Sequence, residues 1–397
     1  MQQSILHVAV DFPYPPNDGI RSDVWNRLIA MKRLGHRVHL LIMQPTRTLD
    51  AAAVEHVKRN VDCLQIVPRL PLPRSLLCVS PTLAERNRSL KHCQLDGPFD
   101  LVIAESEHVA SIFANPAVAS ATHVLRMHND EAAYMRSLAQ SEHRLWKRLF
   151  FYGESIRFKR YAPRVWKTAD RIWPISTKEC HSLINAQTGL QRKLRWLPPT
   201  LLPTRDDIGR KPEPGRVLFI GNLRGPINQD ALHWYLDHVH PHLLDRPDYQ
   251  LTVAGNTIAR GRTDTGLEIL DRIEKTERCT LFANVPSLSH LYSESSVLIN
   301  PMQRGAGVKL KTVQAAAAGI PIVSTLVGND GTGLLPNEHI RIAESAGEFV
   351  NAIEELLSDP GAAENMADAA ANFVTNSYSP NVLEQLILDA TTLDKGA

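Results

Sequence analysis

Apolar and polar positions alternate along this chain between two periods. Short runs rich in Val, Ile and Leu are followed by longer stretches in which apolar residues recur every third or fourth position. That alternation predicts βαβ units, whose parallel strands are covered by helices on both faces of a sheet. The first strand is expected over residues 5–10, followed by the loop DFPYPPNDG and a helix over residues 22–34. Val24, Leu28 and Met31 form the apolar stripe of that helix, Ser22 or Asp23 suits its N-cap, and Gly35 its end. Further strands are predicted over 38–42, 101–104, 123–127 and 171–175.

The segment PPTLLPTRDDIGRKPEPG is rich in Pro and charge without periodicity, so it reads as a linker. A second alternating series starts at once. Strands are predicted over 217–222, 251–255, 280–283, 297–301 and 321–325, with helices near 228–244, near 264–276, after Gly307 and from Ser345 onward. The domains expected are therefore 1–200, a linker over 201–215, and 216–376. A last segment, 377–397, is expected as a helix returning to the first domain. In open α/β sheets ligands bind beyond the carboxyl ends of the strands, so two such domains predict a site in the cleft between them.

Composition narrows the class. The 397 residues exceed what one core usually holds, and 43% hydrophobic with 22% charged residues is ordinary for a globular protein. No apolar run approaches a membrane span, and the N-terminus MQQSILHVAVDF lacks a secretory signal's basic head and cleavage site. Cys63, Cys78, Cys93, Cys180 and Cys279 are scattered without a C-x-x-C pair, which predicts reduced thiols in a cytoplasmic protein.

The net charge of +2 hides an asymmetry: residues 1–202 hold 28 Lys and Arg against 17 Asp and Glu, and the remainder 16 against 25. The basic excess peaks in 144–171, with nine basic residues, two acidic ones and the aromatics Trp146, Phe150, Phe151, Tyr152, Phe158, Tyr161 and Trp166. Such a segment suits an anionic membrane surface; equally, it suits a long helix with its aromatics in the core and its charges in water. Nucleic acid is not the expected partner.

Several chemistries lack their motifs. The chain has no G-x-x-x-x-G-K-[ST], H-E-x-x-H or G-x-S-x-G, and no G-x-G-x-x-G after the first strand. No D-x-D pair is placed to hold a metal, so no metal is expected. The informative stretch is NPMQRGAGVKLKTVQAAAAGIPIVSTLVG, residues 300–328. A strand ends at Pro301, and Gly305, Ala306 and Gly307 lead into a helix whose N-terminal N–H groups can meet a phosphate. Arg304, Lys309 and Lys311 add positive charge there. A tight turn with solvated basic residues is the plainer alternative. His128 stands beside Asn129 at a predicted strand end, and Glu105, Glu107 and His108 follow another. His128 could simply satisfy hydrogen bonds at the strand end, while Glu105, Glu107 and His108 could bind the hydroxyls of a ligand or equally cap a helix.

The run from Pro301 to Gly328 closely resembles the donor-binding signature of family-four retaining glycosyltransferases. The resemblance extends along nearly the whole chain through YPP-N-D-G-x-R, LRMHNDEAAYMRSL (125–138), FIGNLRGPINQDALHWYL (219–236) and the Asp359–Pro360 step between two late helices. It implies the GT-B fold, two Rossmann-like α/β domains facing across a cleft. It further implies transfer of a sugar from a nucleoside-diphosphate sugar to an acceptor hydroxyl with retention, with neither a metal nor a protein nucleophile. By the same resemblance His128 touches the transferred sugar, and Arg304 and Lys309 stabilise the departing diphosphate. Gly19, Arg224, Gly305, Ala306, Gly307, Val308 and Gln314 line the donor, Val285 meets the base, and Asn129, Glu131 and Glu105 border the acceptor.

Two departures from the pattern bear on the donor. Ala306 and Gln314 replace the Glu-x7-Glu pair of many members, and a neutral amide bonds a ribose less strongly than a carboxylate. Asn222 and Asn228 stand where many relatives have Arg and Lys. Two other readings stay open: an inactive sugar-nucleotide-binding protein of the same fold, and a GT-B sugar-nucleotide epimerase. As an enzyme of surface polysaccharide or glycolipid assembly, the protein is expected in the cytoplasm, peripheral on the inner membrane face, with a saccharide or lipid-linked saccharide as acceptor.

Overall fold

The computed structural model describes residues 2–16, 19–45, 48–72, 78–142, 144–186, 189–201, 209–257, 266–285, 287–305 and 307–392. The chain divides into two units: Met1–Thr200 with Ser379–Ala397, and Leu201–Tyr378.

In the first unit β1 (Ser4–Ala9), β2 (Arg37–Met43), β3 (Cys63–Val67), β4 (Leu101–Glu105), β5 (Thr122–Met127) and β6 (Arg171–Pro174) form one parallel sheet ordered β3-β2-β1-β4-β5-β6. Its central strands are apolar on both sides, as a doubly covered sheet requires: Ile5, Val8, Leu101, Val102 and Ile103 have no exposed surface. The second unit repeats the plan. β7 (Arg216–Ile220), β8 (Gln250–Gly255), β9 (Cys279–Ala283), β10 (Val297–Asn300), β11 (Ile322–Ser324) and β12 (Arg341–Ile342) run in the order β12-β11-β10-β7-β8-β9. Read from its first strand, each sheet winds one way and then reverses. The reversal falls between β1 and β4 in one and between β7 and β10 in the other, and such switch points are where open α/β sheets hold ligands.

Six helices matter below: α1 (Gly19–Arg33), α2 (Glu131–Ser141), α3 (Leu145–Thr168), α4 (Pro226–His238), α5 (Leu310–Ala317) and α6 (Pro380–Thr391). α6 lies in the first unit, where Leu383, Leu386 and Ile387 share a core with Val24, Leu28 and Met31 of α1.

The sequence pattern and the structure part company in four places. α1 starts at Gly19 rather than at Ser22, and Asp23 lies inside the helix, 1% exposed, bonded to Arg27 one turn on. β3 and β12 were not evident in the pattern: β3 is an edge strand with Cys63 and Ile66 exposed, and β12 has only two residues. The helix expected over 228–244 breaks at Val239, because Pro241 cannot donate the next N–H, and resumes as His240–Leu243. Residues 202–208 of the expected linker lie outside the described residues.

Candidate functional site

In the second unit the loops after β7 and β10 meet at the switch point. Asn300, the buried last residue of β10, donates from Nδ2 to Thr312 Oγ1 at 2.9 Å and to the Gly328 carbonyl at 2.9 Å, fixing the first turn of α5. Between them Gly305 (φ +140°) and Gly307 (φ +75°) hold backbone shapes that disfavour side chains. A Cβ on Gly305 would also stand 2.9 Å from Met302 Cε.

Lys309 is the residue preceding α5 and is 5% exposed, with Nζ donating to the Gly307 carbonyl at 2.7 Å. Among the described residues no side chain caps α5, and none caps α4, whose N-cap is Gly225. Lys311 turns toward α4: Nζ donates to Asn228 Oδ1 at 2.7 Å and lies 5.1 Å from the Phe219 ring centroid. Burial, and then the neighbouring charge of Lys309, push the Lys311 ammonium down to about 7. Arg304 is largely exposed and pairs with Asp230 at 2.7 Å.

The other expected donor residues are spread around this point. Arg224 is engaged elsewhere, with Nε donating to the Thr257 carbonyl at 2.9 Å. Val308, half-buried, leads into α5, and Gln314 lies on it; Val285, also half-buried, follows β9. Ala306 lies outside the described residues. What the fold brings together is therefore Gly305, Gly307, Lys309, Lys311 and Asn228, beside two uncapped helix N-termini. Backbone N–H groups, helix dipoles and two ammonium groups suit a diphosphate.

In the first unit the switch point holds an ionic core. Asp23 accepts from Arg27 Nη1 and Nη2, both at 3.0 Å, and from Arg126 Nη2 at 3.0 Å. Glu105, the last residue of β4, accepts from Arg27 Nη2 at 2.8 Å and is bonded to the ring nitrogen Nε2 of His7 and, at 2.8 Å, to that of His128. His128 Nδ1 is 3.5 Å from Asp23 Oδ2. His7, Asp23, Arg27, Glu105, Arg126 and His128 are each at most 6% exposed.

Burial opposes the charge on Asp23, but Arg126 and Arg27 outweigh it and hold its carboxyl down at about 2. Glu105 is likewise held well below the usual carboxylate range, chiefly by Arg27. Asp23, Glu105 and His128 have ligand atoms within 4.8 Å of one another. Both carboxylates are already bonded to guanidinium groups, however, and that fixed charge opposes a cation in the same place.

Of the expected acceptor-side residues, Glu105 has its carboxylate taken up inside this network. Asn129 is half-buried just beyond β5. Gly19, expected at the donor, belongs to this unit, where it is exposed and opens α1. Glu131 opens α2, 9% exposed, with Oε2 3.4 Å from His108 Nε2. Glu107 beside it accepts from Trp166 Nε1 at 3.1 Å; burial and the charge of Glu131 push its carboxyl up to about 7. Arg27, Arg126 and His7 were missed by the sequence reading. Arg126 and His7 each interrupt an otherwise apolar strand, a signal that could have marked them, since an unpaired charge is rarely buried.

Residues 214–359 match a family described as "Glycosyl transferases group 1". Over 385 residues the chain is 31% identical to a 44.6 kDa protein in the cps region of Klebsiella pneumoniae, covering 94% of this chain and 96% of that protein. Among solved structures, Anabaena HepE in complex with UDP is 13% identical, with a TM-score of 0.67 over 98% of this chain and 100% of its own. WaaG, a glycosyltransferase involved in lipopolysaccharide biosynthesis, is 14% identical, with a TM-score of 0.63 over 98% of this chain and 100% of its own. These two share the fold of paired Rossmann-like domains. From its sheets, its glycosyltransferase match and its full-length relative, this chain belongs to the GT-B glycosyltransferase superfamily.

Proposed function

We propose that the protein transfers a sugar from a nucleoside-diphosphate sugar to a hydroxyl of a saccharide or lipid-linked saccharide, with retention, during assembly of a surface polysaccharide or glycolipid. One observation carries this reading: Lys309 and Lys311 converge with the Gly305–Gly307 turn and two uncapped helix N-termini at the β7–β10 switch point. Solved relatives of the same fold hold UDP and UDP-glucose. The association of WaaG with lipopolysaccharide and of the 31%-identical relative with a cps region supports the acceptor class.

In this mechanism the second unit binds the donor. The bond from the anomeric carbon to the diphosphate oxygen breaks as the acceptor oxygen bonds to that carbon on the same face. The acceptor's proton passes to the departing diphosphate. Lys309, Lys311 and the N-terminus of α5 stabilise the charge that develops there, with Arg304 joining once released from Asp230. Stabilisation of this kind, with positioning, is the main thing the protein must supply. Gln314 bonds the ribose, and the backbone at Val285 meets the base. In the first unit His128 contacts the transferred sugar, and Glu105 and Asp23 hold its ring in place. Asn129 and Glu131 border the acceptor. No metal takes part, and the reaction runs in the cytoplasm.

Thermal shifts with UDP, GDP, dTDP and ADP test the donor site, because a ligand at about 100 times its Kd adds about 2.7 kcal/mol to the folded state. The sugar form of the stabilising nucleotide should then be consumed, with an α-linked donor yielding an α-linked product by NMR. A product of inverted configuration ends the retaining mechanism. Stabilisation without any turnover or hydrolysis favours the inactive binding protein, and interconversion of free donor sugars favours the epimerase.

A further inference from the structure

α3 carries apolar side chains on two opposite sides. One side, with Phe158, Ala162 and Val165, is buried. On the other, Leu145, Trp146, Leu149 and Ile156 are 70, 67, 63 and 54% exposed. Steps of four and seven residues put Leu145, Leu149 and Ile156 on one face. Scattered exposed apolar residues are ordinary, but a strip over successive turns marks an interaction surface.

The same outward side continues in charge. Lys159, Arg160, Arg164 and Lys167 are all exposed, and among the described residues none of them has an ion-pair partner. The two acids of this segment are occupied elsewhere. Glu154 accepts from the Thr82 N–H at 2.8 Å, the Thr82 hydroxyl at 2.9 Å and Arg157 at 2.7 Å, while Asp170 accepts from the His123 N–H at 2.8 Å. The exposed large apolar residues of α3 therefore lie in its first half, with Arg148 exposed among them, and its second half adds four exposed cations and no exposed acid.

We infer that this side of α3 docks on an anionic lipid surface, with Leu145, Trp146, Leu149 and Ile156 entering the boundary between headgroups and acyl chains. Lys159, Arg160, Arg164 and Lys167 then lie over lipid phosphates. Charge selects this occupant over a second copy of the chain. A two-fold partner presents the same strip and the same cations, so it offers these cations no counter-charge, whereas lipid phosphates do. Among the described residues no helix is long and apolar enough to cross a membrane, so the attachment is peripheral. The docking stands apart from the transferase reading; only its corollary, that a lipid-linked acceptor is met at this surface, rests on it.

Flotation of the full chain with phosphatidylcholine vesicles, with and without phosphatidylglycerol, tests the inference. The protein should float with the anionic vesicles at about 20 mM salt and be released at about 300 mM, as the Debye length contracts. Trp146→Glu with Leu149→Glu should weaken binding at least about tenfold at low salt, and Lys159→Glu with Arg160→Glu should erase the preference for anionic vesicles. These side chains are exposed, so the variants should keep the wild-type melting temperature and nucleotide-induced shift. Failure of the wild type to float at low salt, or variants that float as it does, overturns the inference. So does a dimer in light scattering that Trp146→Glu dissociates while vesicles are ignored, which gives the strip to a second copy. Flotation without any nucleotide shift leaves the docking intact and removes the transferase reading; a nucleotide shift without flotation does the reverse.

Discussion

At the ends of β4 and β5 the chain buries two carboxylates with two guanidinium groups and two imidazoles, while at the end of β10 it gathers two lysines with amides and helix N-termini. Both groups occupy the switch point of a parallel sheet. In the first, two carboxylates offset two guanidinium groups, while His7 Nδ1, Arg126 Nε and His128 Nδ1 have no hydrogen-bond partner among the described residues. In the second, two lysines sit together, and burial, then the charge of Lys309, pushes Lys311 down to about 7. The contrast separates a frame from a candidate receptor: a compensated network holds geometry, whereas a surplus of one sign is relieved by loss of a proton or by a counter-charge from outside.

The strongest way to break the comparison is to unbalance the frame. Glu105→Ala removes the partner of Arg27, His7 and His128 and should cost about 3–5 kcal/mol of stability, because breaking a buried pair strands its partner. Urea denaturation measures this, and a loss under about 1 kcal/mol would mean the network is not a frame. Lys309→Ala should do the opposite, leaving the melt nearly unchanged while lowering kcat by about 10²–10³, the usual effect of deleting one charge-stabilising donor. Unaltered turnover would take Lys309 out of the reaction.

Gln314→Glu sharpens the same site. If residue 314 bonds the ribose, nucleoside-diphosphate affinity should change by about 1 kcal/mol or more in calorimetry. A Kd unchanged for all four nucleotides would separate position 314 from the donor.

The smallest effect is in protons. The folded state holds Lys311 at about 7, below its ordinary 10.5, so between those values the unfolded chain binds more protons. This group's contribution to unfolding free energy therefore rises with pH from about 7 toward 10.5. A bound diphosphate reverses the shift, so nucleotide binding near pH 8 should take up protons, an uptake that Lys311→Met removes. Titrations in buffers of different ionisation enthalpy read this directly, and zero uptake in the wild type would place the anion away from Lys311.

Much of this architecture was legible before any coordinates. Apolar runs such as Val-Leu-Phe-Ile at 217–220 and Val-Leu-Ile-Asn at 297–300 could only be strands covered on both faces, and their alternation with helices predicted both sheets. The Gly305–Lys311 stretch pointed to a candidate anion site because its ingredients are contiguous: permissive backbone, a helix start and cations within one turn. The edge strands β3 and β12 escaped because one is partly exposed and the other very short, so neither leaves a hydrophobic imprint.

Asp23 shows where local reasoning ends. As a short acidic residue before an apolar stripe it fitted an N-cap, but the helix begins earlier and its carboxylate faces Arg126, 103 residues away. Glu105 and Arg27, 78 residues apart, meet only because β1 and β4 are neighbours. α3 was ambiguous for the same reason: both of its faces carry apolar residues, and only packing decides which is covered. What the sequence by itself determined is everything written in contiguous periodicity, namely the central strands, the helices that cover them and the glycine turn before α5. Pairing of distant charges, and the choice of the face left to solvent, fell to the tertiary structure, because Coulomb energy and burial depend on distances that chain order does not contain.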